Sequence, residues 1–174
     1  MDMIPVNQFE VTTVCSPAPW LIEAAADAGL DVSALEHEMT NYFVNHTVNR
    51  HGNEKAERDQ GQLPITKADI SSIPDIVKSP DYAIIGIRRH GETLIAYCKH
   101  FENWTTIYLE EVLNSRKNKA LRSTTMYKKQ GIVDQETFIK IVSNNAHTDM
   151  TKSKAVVGAG GNPDEEAEQV IARW

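Results

Sequence analysis

Apolar positions along the chain follow two different periods, and the change falls near Tyr82. Before it the spacing is helical. "SPAPWLIEAAADAGLD" predicts a short helix, with Pro17 and Pro19 suited to its entry and Gly29 to its C-terminal cap. "SALEHEMTNYFVNHTVNRHG" predicts a longer one. Ser33 and Glu36 form a capping box, and Leu35, Met39, Tyr42 and Phe43 make an apolar stripe that His46 continues. Gly52 is its stop. "NEKAERDQGQLP" is polar enough to be a loop. "ITKADISSIP" reads as a short helix capped by Thr66 and Asp69 and ended before Pro74.

From Tyr82 the period becomes two. "YAIIGIR", "TLIAYCKH" and "WTTIYLEEV" are β-rich runs joined by the polar turns "RHGE" and "FEN", and "ALRSTTMY" supplies a fourth strand. The expected architecture is α+β: N-terminal helices packed on one face of a roughly four-stranded antiparallel sheet, the other face free to bind. "DQETFIKIVSNNA" adds a helix, "TKSKAVVGAGGNP" a flexible linker, and "NPDEEAEQVIARW" a docking helix or a tail. The expected division is an acidic arm and helix over residues 1–32, a central domain over 33–146, and a linker with a C-terminal helix over 147–174.

Composition changes this picture little. No apolar run approaches the ~18 residues that span a bilayer, and the N-terminus lacks the basic and apolar regions of a secretory signal. The expected location is the cytosol. Cys15 and Cys98 are too few and too scattered for a disulfide framework or a zinc knuckle. Charge adds more. The total of −6 includes a first stretch, residues 1–40, with acids and no Lys or Arg. By contrast, Val112 to Lys129 holds Arg116, Lys117, Lys119, Arg122, Lys128 and Lys129 with no acid, a block suited to a polyanion.

The candidate chemistry narrows by elimination. His46 and Arg50, not a second histidine, stand four apart, and His46 and His51 lie ~140° apart on an ideal helix at ~100° per residue; a metal site is not expected. "VVGAGGNP" lacks the strand and helix of a dinucleotide loop, and no nucleophile elbow is present. Metal-free acid–base chemistry on a phosphodiester remains. RNA carries its own nucleophile, the 2′-hydroxyl, so such a site needs a base, an acid and cations for the phosphorane charge. Histidine suits the proton roles near neutral pH, Lys and Arg the electrostatic one, and a Thr or Tyr hydroxyl holds a non-bridging oxygen. His46, Arg50 and His51 at a helix end, with Thr124, Thr125, Tyr127 and Lys128 on the last strand, form that set. Arg116, Lys117, Lys119 and Arg122 extend it as nucleic-acid-facing cations.

The run from "HTVNRHG" through "LPITKADISSIPDIVKSPDYAI", followed by "YCK", "LEEV" and "TTMYKK", resembles nucleases of the barnase–EndoU–colicin–RelE (BECR) superfamily, in particular its phage and polymorphic-toxin branch. The resemblance covers about half of the chain. It implies a helix on an antiparallel sheet and metal-independent RNA cleavage that leaves a 2′,3′-cyclic phosphate, without a cofactor. Residue by residue, it makes His51 the main acid–base group, His46 its second or its support, and Arg50 a phosphate contact. Lys99, Thr125 and Lys128 would line the phosphate, and Glu111 would act as a base or orient a histidine. Glu110 competes with Glu111, because strand alternation puts the two on opposite faces. His46 is equally well read as a buried structural residue, and Tyr127 as packing. The implied partners are RNA, tRNA among them, and an immunity protein; no membrane partner is expected. The alternative is a module that binds nucleic acid or a phage head protein without catalysis.

Overall fold

The computed structural model describes residues 10–51, 62–144 and 147–158; of Arg50 and His51 it describes the backbone only. Most of the expected loop over 53–64, the first nine residues of the arm expected over 1–16 and the C-terminal helix from Asn162 lie outside these residues. Where they are described, Val11–Cys15 of the arm and Gln62–Leu63 of the loop are strands, because they pair with the sheet. The fold is α+β, as expected, but its sheet is mixed and has nine strands among the described residues rather than four.

The expected meander is its centre: β4 (Tyr82–Arg89), β5 (Glu92–His100), β6 (Trp104–Asn114) and β7 (Lys119–Gln130), antiparallel throughout. The β4–β5 link is a two-residue turn at His90 and Gly91 with φ of 50° and 79°, the geometry that matches the right-handed twist of a hairpin. Further strands extend both sides. β1 (Val11–Cys15) pairs with β2 (His37–Thr40), which runs parallel to β7, and β3 (Gln62–Leu63) pairs farther along β7. On the far side, β8 (Thr148–Asp149) and β9 (Lys154–Val157) pair with β4. The stretch read as a flexible linker therefore contains a strand, because Ala155 and Val156 bury against the sheet. Gly86, at a bulge in β4 with φ +87°, lets the Lys152 carbonyl approach to 3.4 Å of where a Cβ would sit.

Local signals fixed several helices as expected. Helix α1 (Pro19–Asp27) has Pro at its start, and its end is a Schellman motif: Leu30 N–H reaches Ala25 O at 2.8 Å and Gly29 N–H reaches Ala26 O at 3.0 Å, with Gly29 at φ +79°. Helix α3 (Lys67–Ser71) carries the capping box of Thr66 and Asp69. It is followed by α4 (Ile73–Lys78), where Pro74 sits in the first turn and begins a helix instead of ending one. The largest departure is at residues 33–40. The predicted helix starts eight residues late, as α2 (Asn41–His51), and its first part is strand β2. Ser33 is held instead by the Asp31 carboxylate, which its N–H reaches at 3.1 Å.

Both faces of the sheet are covered. On one, Ile85, Ile95, Tyr97, Tyr108, Leu121 and Met126 pack under α1, α2 and α4. On the other, Ile84, Ala96, Cys98, Ile107 and Leu109 pack under α5 (Gln135–Ser143) through Phe138 and Val142. The second face is therefore not the open one expected. Nor does either expected boundary, at residue 32 or at 147, mark a break in the core: Leu21 and Ala25 precede the first, Val156 follows the second, and all belong to one cluster.

Inside the first face lies a fully buried polar group. Glu110 stands at 0% exposure between three strands: His37 Nδ1 of β2 is 2.9 Å from its Oε2, the Tyr97 hydroxyl of β5 donates to its Oε1, and the Tyr108 hydroxyl of β6 lies 3.3 Å from Oε2. Tyr108 also meets Ser123 Oγ of β7, which reaches back to the Glu38 carbonyl at 3.3 Å. Burial first, and then the Glu110 carboxyl, holds both phenols well above their ordinary pKa. Glu110 thus faces the core, the option that strand alternation left open. Removing one member of such a group leaves the others buried and unpaired. Glu110→Ala is expected to cost about 3–5 kcal/mol in urea-induced unfolding, and Glu110→Gln less, because its one amide oxygen still accepts from one of the tyrosines. Equal stability of Glu110→Ala and the wild type would refute the assignment.

Candidate nucleic-acid interface

Helix α2 begins at Thr40, whose hydroxyl accepts the Phe43 N–H at 3.1 Å. That start sets its rotational phase. Phe43 and Thr47 are buried, and Phe43 meets Tyr108 edge-on. Tyr42 is 48% exposed, while His46 is half-buried and Asn49 exposed. The stripe expected to join Leu35 and Met39 to His46 is thus not one helical line, because the first two precede the helix. His46 does not lie in the core. Its ring stacks on Tyr42 with centroids 5.6 Å apart and planes 12° from parallel. At ~100° per residue, position 50 falls ~40° round the helix from His46 and ~80° from Tyr42, and position 51 ~40° from Thr47. The side chains of Arg50 and His51 lie outside the described residues.

At the end of β7, Lys128 is a tethered cation. Its ammonium sits 3.0 Å from Asp69 Oδ2 and 4.7 Å from the centre of the Trp104 ring, which itself stacks on Phe101. The same Asp69 oxygen accepts from the Thr66 N–H at 2.7 Å, so the pair fastens the α3 cap to the sheet. With side-chain exposures of 12% and 8%, Lys128 and Asp69 neutralise each other in a half-dry setting.

The remaining expected residues disperse. Thr125 pairs with Leu109, and Lys128 with Thr106, across the β6–β7 ladder. These pairs lie on opposite faces, so Thr125 and Lys128 do not address one phosphate together. A bulge between Leu109 and Glu110 accounts for the loss of simple alternation. Tyr127 faces the α5 side, where burial raises its phenol well above the ordinary range; packing is the role it fills. Lys99 caps α4, its ammonium 2.6 Å from the Ser79 carbonyl. Glu111 pairs with Arg122, six residues before Lys128 on β7 or about 20 Å at 3.3 Å per residue. Arg122 in turn binds Glu38 at 2.6 Å, so an acid of the first forty residues offsets one cation of the basic block. With Glu38 and Glu92 nearby, Glu111 is a poor neighbour for a phosphate. Arg116, Lys117 and Lys119 project from the exposed β6–β7 turn, about 30 Å along the strand from Lys128. No group of three or more His, Cys, Asp or Glu able to hold a metal occurs among the described residues.

Tyr42 was readable as an exposed aromatic only once the helix phase was known, and that phase depends on the strand before it. The sequence pattern alone placed it on the buried stripe.

A family model described as phage-Barnase-EndoU-ColicinE5/D-RelE like nuclease3 matches residues 17–136. No curated protein and no solved structure matches the chain. No helix among the described residues is long and apolar enough to cross a membrane.

Two measurements check the assigned environments. Lys128→Met keeps the contact with Trp104 but leaves the Asp69 carboxylate without its cation, and is expected to cost about 1.5–3 kcal/mol, with Lys128→Arg recovering most of it. Burial, then Glu92, raises the Glu111 pKa, partly offset by Arg122. The folded chain therefore holds that proton more tightly than the unfolded chain does. The stability this contributes is present at low pH and lost as pH rises through the folded value. Glu111→Gln should match the wild type in Tm near pH 4 and exceed it at neutral pH; a difference of the opposite sign would contradict the environment described.

Proposed function

The chain belongs to this phage-associated nuclease family, and from that premise we propose that it is a metal-independent endoribonuclease. In this reading the 2′-hydroxyl of RNA attacks the adjacent phosphorus, the 5′-oxygen leaves, and a 2′,3′-cyclic phosphate remains. His51 takes or returns the proton, and Arg50 neutralises the phosphate beside it. At the end of β7 Lys129 adds positive charge, its neighbour Lys128 being neutralised by Asp69, and the turn carrying Arg116, Lys117 and Lys119 holds the RNA backbone at a distance. Thr125 and Glu111 drop out of the reaction, since one faces the α5 side of the sheet and the other sits among acids.

The observation that supports this reading is the span of the family match, which takes in both α2 and the end of β7. Toxin activity in a bacterial cytosol, tRNA as the target and an immunity protein as partner belong to the same proposal.

A second reading has its own support. Lys99, Arg122 and Lys128 are each engaged with a group of the protein itself. A fold that uses its cations this way suits a module that binds nucleic acid, or a phage head protein, without cutting. The two readings part on one experiment: incubation of RNA in excess EDTA with wild type and His51→Ala. The nuclease reading expects cleavage by the wild type and a loss of about 10²–10⁴-fold in the variant. Binding that weakens steeply with salt and leaves RNA intact supports the module, and undiminished cleavage by His51→Ala removes His51 from the mechanism.

A further inference from the structure

We infer that Tyr42 and His46 form a stacking platform for an unpaired base of the RNA, an inference that rests on the nuclease reading and adds a specificity-determining residue to it. Among the described residues the large apolar side chains that stand exposed are Val11, Tyr42 and Ile132, and of these Tyr42 alone is aromatic. Its exposure is not that of a loose surface ring. The parallel contact with His46, at 5.6 Å and 12°, holds one face of the ring. At the helix start the Tyr42 N–H is 2.9 Å from Asn41 Oδ1. The contact with His46 thus orders the ring, on a backbone held by Asn41, before any ligand arrives, and the ordering entropy of binding falls accordingly.

The chemistry of the occupant follows from the ring and its place. A phenol has a flat, weakly polar face and no charge, so it selects a flat partner rather than a phosphate. Bases within a duplex have both faces covered by their neighbours, whereas an unpaired base in a loop or a bulge offers one to a protein aromatic. Positions 42 and 46 lie about two turns and about one turn before position 50, within the same quadrant of α2 at ~100° per residue. A base on Tyr42 therefore sits about 12 Å along the helix from the phosphate assigned to Arg50 and His51, within the reach of neighbouring nucleotides. Tyr42 touches the substrate in this arrangement but moves no proton, and His46 serves by holding the ring.

The test uses an RNA methylated at every 2′-oxygen, so that binding is read without cleavage, with one 2-aminopurine in its loop. Stacking quenches 2-aminopurine fluorescence. The wild type and Tyr42→Phe are expected to quench it equally, and Tyr42→Ala to abolish quenching and weaken affinity roughly five- to hundredfold. On unmodified RNA, Tyr42→Ala is expected to raise KM by a similar factor and leave kcat largely unchanged. Because Tyr42 lies outside the core, circular dichroism of Tyr42→Ala should match the wild type. Quenching retained in Tyr42→Ala, or absent in the wild type as it would be if the platform served a protein instead, overturns the platform. Quenching by a wild type that cuts no RNA overturns the nuclease reading and leaves the platform standing.

Discussion

A single carboxyl group in the middle of the sheet governs much of what surrounds it. Glu110 is enclosed by apolar side chains, and its oxygens are met by His37, Tyr97 and Tyr108, one from each of three strands. A buried carboxyl without partners is costly, so the structure that satisfies it is strongly preferred over alternatives that do not. The consequence for the chain is specific. His37 reaches Glu110 only if residues 37–40 form a strand beside β7, and that strand delivers the chain to Thr40, where α2 starts. The rotational phase of α2 follows, and with it the exposure of Tyr42.

The same constraint explains why the two ends of the basic block do different things. Where the block begins, at the β6–β7 turn, the cations are exposed and have room for a backbone of phosphates. Where it ends, Lys128 is drawn into the packing of α3 and Trp104. Between them Arg122 is claimed by Glu38 of the very strand that His37 anchors. Positive charge is therefore presented at the tips of the sheet, not across a face, and both faces carry helices.

The four central strands, their turns, α1, the Thr66–Asp69 cap and α5 were legible because each depends on neighbours in sequence. Gly29 and the capping box act within one turn, and the His90–Gly91 turn joins strands two residues apart. What the sequence concealed was long-range. Residues 33–40 carry a helical spacing of apolar side chains, yet Leu35 and His37 are both buried by contacts made far along the chain. The runs "AIIGI" and "LIAYC" are apolar at consecutive positions, the mark of strands buried on two faces, and that signal outweighed the alternation read at their ends. The histidine run and the family resemblance were visible from the start. Which cations stay free was not, because Lys99, Arg122 and Lys128 find their partners 20, 84 and 59 residues away.

Cleavage of RNA through the sugar's own hydroxyl, as proposed above, would be recorded in the chemistry of the ends it leaves. Phosphorus NMR of the products of a defined oligoribonucleotide, digested in EDTA, distinguishes a cyclic phosphodiester from a phosphomonoester. The proposed mechanism requires a 2′,3′-cyclic phosphate on one fragment, a 5′-hydroxyl on the other, and no cleavage when the nucleotide 5′ of the cut is replaced by its 2′-deoxy form. A 5′-phosphate product, or cleavage that survives removal of that hydroxyl, would contradict it.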